Sequence, residues 1–128
     1  MEKRNKPGKT GLIRIWYAFL YSIDGIKSAY KNEAAFRQEL LLFAVLTTVA
    51  LALPISTIMK LFLILCNTSI IVVELLNSAI ESVVDKVSPE QSTLAKEAKD
   101  MGSSAVFLTI TCAVVVWVYV LLKIFVLK

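Results

Sequence analysis

The sequence predicts an all-α membrane protein in which three transmembrane helices follow an amphipathic helix on the membrane surface. Hydrophobic residues make up 57% of the 128 residues, which places the chain in the membrane class and not the soluble one. Three apolar runs each approach the ~20 residues that an α-helix needs to cross a bilayer. The length fits a single domain, residues 1–128.

The first 31 residues combine a basic start with an amphipathic segment. Residues 1–11 predict a mobile basic tail that faces phospholipid headgroups. Residues 12–31 predict a helix, because apolar side chains recur on one face of it: Leu12, Trp16, Phe19, Leu20, Ile23 and Ile26. A basic amphipathic helix that carries aromatic residues is typical of the membrane interface. No nucleic-acid partner is expected, because no soluble basic domain follows the tail.

Three membrane spans are predicted, at residues 34–53, 55–85 and 101–122. Pro54 ends the first span, and the pair Ser88 and Pro89 breaks the chain after the second. The polar residues from Glu90 to Asp100 predict a loop before the third span.

The distribution of Lys and Arg predicts the orientation of the spans. The N-terminal segment and the Lys86–Lys99 segment are rich in basic residues, whereas the turn between the first two spans has only Lys60. The positive-inside rule therefore places the N-terminus and the second loop in the cytoplasm.

Four polar residues lie within the second span at helical spacing: Glu74, Asn77, Glu81 and Asp85. They are three, four and four residues apart, so at ~100° per residue they share one face of a helix. Ionisable groups at membrane depth cost about 2.5 kcal/mol each or more. This polar stripe therefore predicts a functional site, in which Glu74 lies ~10 Å deeper than Glu81.

Further charged residues are expected at the same cytoplasmic level, on all three spans: Glu33, Glu39, Lys99 and Asp100. Clustered carboxylates repel one another unless a cation joins them. The chain has no histidine, so a metal would be held by oxygen ligands, which favours magnesium or calcium over zinc. A divalent cation held by Glu33 and Glu81 suits a polyphosphate substrate. Cys66 and Cys112, both in apolar runs, are expected to be unpaired thiols.

Three sequence blocks resemble the small bacterial integral-membrane diacylglycerol kinases. The first is the polar stripe itself, Glu74-x-x-Asn77-Ser78-Ala79-x-Glu81-x-x-x-Asp85. The second is Asn32-Glu-Ala-Ala-Phe-Arg-Gln-Glu39, and the third is Ala98-Lys-Asp-Met-Gly-Ser103. The spacing between the blocks matches the family pattern without a gap, and the resemblance covers nearly the whole chain.

The resemblance implies a homotrimer in the bacterial inner membrane, with its active site on the cytoplasmic side. It implies that ATP and Mg2+ are used to phosphorylate diacylglycerol to phosphatidic acid by direct transfer of the γ-phosphoryl group.

The resemblance also implies roles for individual residues. Glu74 would accept the proton of the lipid hydroxyl, Asn77 would orient the reacting groups, and Glu33 and Glu81 would hold magnesium. The implied nucleotide-binding residues are Arg14, Tyr21, Glu33, Glu81, Glu90, Gln91, Ser92, Lys99 and Asp100. The implied lipid-binding residues are Arg14, Ala35, Glu39, Glu74 and Ser103.

Three alternatives remain at the level of sequence. A close variant within the family phosphorylates undecaprenol, although the intact Asn32–Glu39 block favours diacylglycerol. A small ion or proton transporter subunit would also carry intramembrane acids, but it predicts acids across the whole bilayer. A non-catalytic assembly or lysis protein gives no reason for the polar stripe.

Overall fold

The computed structural model describes residues 10–127, which form four helices and no strand. These are α1 (Leu12–Asn32), α2 (Ala34–Ala52), α3 (Thr57–Val87) and α4 (Thr93–Phe125). By length and composition, α2, α3 and α4 can each cross a membrane. The predicted fold class is thereby confirmed. Residues 1–9 of the predicted basic tail lie outside the described residues.

The described chain divides into two compact units, one that ends at Asn32 and one that begins at Glu33. In the first unit, α1 follows Gly11, whose φ of 73° lies in the left-handed region that glycine adopts without strain. The rings of Trp16 and Phe19, both on the predicted apolar stripe, lie 5.7 Å apart. Both side chains are exposed, as is most of the stripe.

In the second unit, the backbone of α3 lies close to those of both α2 and α4, whereas the backbones of α2 and α4 do not come close to each other over the described residues. The apolar core lies at the end of the bundle where α2 turns into α3, and consists of Ala50, Leu63, Trp117 and Val120. Leu53 is extended, as residues before proline are, so α2 ends there. The Lys60 ammonium then donates to the carbonyl oxygen of Leu51 at 2.6 Å, which stabilises the C-terminal end of α2.

The connection between α3 and α4 is shorter than the sequence predicted. The polar stretch from Glu90 to Asp100 was expected to be a loop, but helix α4 already begins at Thr93. Most of this stretch consists of good helix formers, and Ser92 caps the helix, since its Oγ accepts a hydrogen bond from Ala95 N at 3.2 Å. With 33 residues, α4 is ~50 Å long and exceeds a ~30 Å hydrocarbon core. Its polar first turns therefore need not lie in lipid.

A hydrogen-bonded trio links all three spanning helices near the apolar core. Trp117 Nε1 donates to Asn67 Oδ1 at 3.0 Å, and Asn67 Nδ2 donates to Thr47 Oγ1 at 3.5 Å. Asn67 is only 2% exposed. A buried amide needs such partners, so these bonds hold α2, α3 and α4 in one register.

Replacement of Trp117 by phenylalanine is expected to lower the free energy of unfolding by about 1–2 kcal/mol, because Asn67 Oδ1 would stay buried without its donor. Thermal unfolding in detergent micelles, followed by circular dichroism, measures the change. Trp16→Phe is the matched control, because Trp16 is exposed on α1 and donates to no such buried acceptor. Equal losses in the two variants would contradict a stabilising role for the bond between Trp117 and Asn67.

Candidate active site

The polar stripe of α3 passes from a buried to an exposed environment along the helix. Glu74 and Asn77 are only 5% and 8% exposed, Glu81 is half-buried, and Asp85 is exposed. The neighbouring Ser78, which belongs to the same sequence block but was given no role, is also buried. The deep end of the stripe is thus enclosed by the bundle, whereas its other end is open.

Carboxylates from α2 approach the deep end of the stripe. Glu33 occupies the N-cap position of α2 in an extended conformation, and within the described residues its side chain makes no capping hydrogen bond. Its carboxylate and that of Glu81 lie within electrostatic reach of Glu74, and Glu74 in turn acts on Glu39. The structure therefore places three predicted site residues, Glu33, Glu39 and Glu81, within electrostatic reach of Glu74. Their mutual repulsion favours the binding of a cation.

Asn77 orients one of these carboxylates. Its Nδ2 donates to Glu81 Oε1 at 3.3 Å, one helical turn away. Two buried side-chain oxygen atoms near this site, Asn77 Oδ1 and Glu39 Oε2, have no hydrogen-bond partner among the described residues. Buried polar atoms rarely lack partners, so these atoms mark this part of the bundle as a candidate site.

The described residues contain no group of three or more His, Cys, Asp or Glu side chains arranged to hold a metal ion. Magnesium does not need such a group, because it is commonly held by one or two carboxylates together with substrate phosphates and water. The carboxylates of Glu33 and Glu81, which both lie within electrostatic reach of Glu74, fit that requirement. Calcium, with six to eight oxygen ligands, fits it less well.

A second cluster lies between the end of α3 and the start of α4. A cleft of about 180 Å³, the α3–α4 cleft, is lined by Val84, Asp85, Ser88, Gln91, Ala95, Lys96, Lys99 and Asp100. Two ion pairs cross or border it: Lys99 Nζ lies 2.8 Å from Asp85 Oδ1, and Lys96 Nζ lies 2.6 Å from Asp100 Oδ2. Lys99 is also within electrostatic reach of Glu81, so the cleft adjoins the polar stripe.

Two of the predicted nucleotide-binding residues, Ser92 and Gln91, help to shape the loop between α3 and α4. The hydroxyl of Ser92 caps α4 and accepts a hydrogen bond from Ser88 Oγ at 3.3 Å. Gln91 has a φ of 47°, a left-handed conformation that costs a residue with a Cβ atom about 1 kcal/mol or more. Glu90 is exposed in the same loop.

The remaining predicted residues are more dispersed. Ala35 and Ser103 are exposed on α2 and α4, and Glu39 borders a mainly apolar cavity of about 100 Å³ between α2, α3 and α4. Arg14 and Tyr21 belong to the other unit and are exposed on α1, where the rings of Tyr21 and Tyr17 lie 6.2 Å apart.

Comparison with known proteins points to a single family. The family profile described as prokaryotic diacylglycerol kinase matches residues 20–121. A Pseudomonas aeruginosa protein named diacylglycerol kinase is 48% identical over 115 residues, which cover 90% of this chain and 94% of that protein. The Escherichia coli K12 protein of the same name is 44% identical over 108 residues, or 84% and 88% of the two chains. The Helicobacter pylori J99 protein is 38% identical over 111 residues, or 87% of each.

Replacement of Ser92 by alanine is expected to lower the free energy of unfolding by about 1 kcal/mol, because α4 loses its N-cap. Ser92→Asn keeps a capping oxygen and is expected to retain the stability. Ser56→Ala removes the corresponding cap of α3, where Ser56 Oγ accepts from Met59 N at 3.3 Å, and serves as the reference. Thermal unfolding in micelles measures all three. A loss in Ser92→Asn as large as in Ser92→Ala would contradict the capping role.

Proposed function

The chain belongs to the prokaryotic diacylglycerol kinase family and is a lipid kinase, and on that premise we propose that it transfers the γ-phosphoryl group of ATP directly to diacylglycerol. The products are phosphatidic acid and ADP. The observation that carries this proposal is the buried carboxylate of Glu74, which has the carboxylates of Glu33 and Glu81 within electrostatic reach.

Glu74 is proposed to act as the general base. The oxygen of the lipid hydroxyl attacks the γ-phosphorus, the bond between that phosphorus and the ADP oxygen breaks, and the hydroxyl proton passes to Glu74. Glu74 is only 5% exposed and lies inside an apolar stretch of α3, where a lipid is better able than ATP to reach it. Because the transition state of phosphoryl transfer is loose, positioning of the hydroxyl contributes more than strong basicity.

Glu33 and Glu81 are proposed to hold magnesium, which when bound would neutralise charge on the transferred phosphoryl group. Asn77 supports this arrangement, because its hydrogen bond to Glu81 Oε1 fixes one carboxylate oxygen. The partners of metal-binding side chains commonly matter for affinity as well as the ligands themselves.

The nucleotide is proposed to lie at the open end of the stripe. Lys99, Asp100 and Gln91 line the α3–α4 cleft and would contact the nucleotide there. Lys99 pairs with Asp85 of the stripe and lies within electrostatic reach of Glu81. Glu90 and Ser92 of the same loop, with Arg14 and Tyr21 of α1, complete the proposed nucleotide-binding residues. Ala35, Glu39 and Ser103, again with Arg14, are proposed to bind the lipid headgroup.

The location and assembly of the protein are part of the same proposal. We place it in the bacterial inner membrane with the N-terminus and the active site on the cytoplasmic side, where ATP is available and where the basic segments favour that orientation. We further propose a homotrimer. Large apolar side chains such as Leu41, Leu65 and Phe107 are more than half exposed on the spans, and lipid and neighbouring subunits would cover them.

The distribution of acidic residues favours a kinase over an ion or proton transporter. In α2 after Glu39, in α3 before Glu74 and in α4 after Asp100, the sequence contains neither Asp nor Glu. A transmembrane ion pathway would be expected to have acids along its whole length. Undecaprenol remains the competing lipid, because the same chemistry would phosphorylate it.

Glu74→Gln is expected to lower lipid phosphorylation by about 100- to 10,000-fold, because the general base is lost while the side chain keeps its size. Purified protein in mixed micelles is given ATP and magnesium with diacylglycerol or undecaprenol, and the phosphorylated lipid is measured. Glu97→Gln is the matched control, because Glu97 is exposed on α4 and is not among the residues that line the α3–α4 cleft. Wild-type protein that phosphorylates neither lipid would refute the kinase proposal, and preference for undecaprenol would change the substrate.

Removal of magnesium by a chelator is expected to abolish turnover, and Glu81→Gln and Glu33→Gln are each expected to raise the magnesium concentration for half-maximal activity by about tenfold or more. Magnesium is titrated at saturating ATP for each variant, with Glu97→Gln alongside. Unchanged magnesium dependence in both variants would exclude these two carboxylates as ligands.

A further inference from the structure

Gly102 on α4 lies directly against the side chain of Asn77 on α3. Gly102 is buried, and a Cβ atom built on it would overlap Asn77 Oδ1 and lie 3.4 Å from Asn77 Cγ. By contrast, no described atom lies within 4 Å of a Cβ atom built on Gly25 of α1. The absence of a side chain at residue 102 is therefore a requirement of this one contact.

The atom that packs against Gly102, Asn77 Oδ1, belongs to the same side-chain amide that donates a hydrogen bond to Glu81. With Oδ1 turned towards the α4 backbone, Nδ2 of the same amide donates to Glu81 Oε1 at 3.3 Å. An asparagine amide has its oxygen and nitrogen on opposite sides, so the position of one fixes the direction of the other. A methyl group at residue 102 would push Oδ1 away and move Nδ2 from Glu81.

Glycine at residue 102 makes helix α4 less stable, so its presence there needs an explanation. In the interior of a helix, glycine is about 1 kcal/mol less favourable than alanine. Gly102 lies ten residues after Ser92, well inside α4, and its φ is not in the left-handed region. Neither a helix end nor a special backbone conformation explains it.

We propose that Gly102 is a positioning residue of the kinase reaction, which acts by seating the Asn77 amide so that it holds Glu81 in place. This inference rests on the proposed roles of Asn77 and Glu81. It assigns a function to a residue that is not among the proposed catalytic, metal-binding, nucleotide-binding or lipid-binding residues. The side-chain amide of Asn77 can rotate away from an added methyl group, so a substitution at Gly102 disturbs the site while the fold is retained.

Gly102→Ala is expected to lower kcat by about 100-fold, the effect of a displacement of about 1 Å at a reacting group. The KM for the lipid is expected to stay the same, and the thermal unfolding temperature to stay the same or rise. Gly25→Ala is the matched control and is expected to leave kcat unchanged. In an Asn77→Ala background, Gly102→Ala is expected to cause no further loss, because the oxygen that it displaces is gone. Multiplicative losses in the double variant would overturn the proposal.

A second measurement does not depend on turnover. The side-chain amide signals of Asn77 are identified in a proton–nitrogen NMR spectrum in micelles by their loss in Asn77→Ala. They are expected to shift in Gly102→Ala and to stay in place in Gly25→Ala. Unmoved signals in Gly102→Ala would overturn the positioning role even if activity fell. If the wild-type protein phosphorylated no lipid, the proposed function would fail, yet these signals would still decide whether Gly102 seats Asn77.

Discussion

The burial of polar side chains in a place that lipid cannot solvate is the constraint on which the rest of this structure depends. Glu74, Asn77 and Ser78 are each less than 10% exposed, in the middle of a spanning helix. Hydrocarbon offers them no hydrogen bonds, so they must face other helices or a ligand. This explains why α3 lies between α2 and α4, and why carboxylates of α2 are gathered near the same level.

The apolar core and the candidate site lie at opposite ends of the bundle. Around Leu63 and Trp117 the helices pack in an apolar core, and the amide of Asn67 is paired with its neighbours. Around Glu74 the carboxylates repel one another and buried oxygen atoms lack partners. Active sites commonly retain such unfavourable interactions, which the rest of the fold must compensate. The apolar core at the other end of the bundle supplies that compensation.

Periodicity and hydropathy predict the helices and the faces that their residues share. Features that depend on a contact between two helices cannot be predicted in this way. The three spans and the face shared by Glu74 and Asn77 follow from apolar runs and helical spacing. The start of α4 at Thr93 does not follow from them, because a polar stretch indicates contact with water and can be either a loop or a helix. Gly102 was part of a recognised block, but its meaning depends on Asn77 lying opposite. Asn67 could have been noticed as a lone amide in an apolar run.

The ion pairs of the α3–α4 cleft suit the entry of a polyphosphate. The Lys99 side chain is 36% exposed and that of Asp85 66%, so their interaction is screened by water and contributes little to the stability of the fold. A phosphate oxygen that replaces Asp85 at Lys99 would exchange one anionic partner for another at little cost. Before a phosphate binds, Asp85 keeps the Lys99 ammonium group close to α3 and within electrostatic reach of Glu81. The same exposed pair that adds little stability thereby holds a cation beside the site where the proposed reaction needs it.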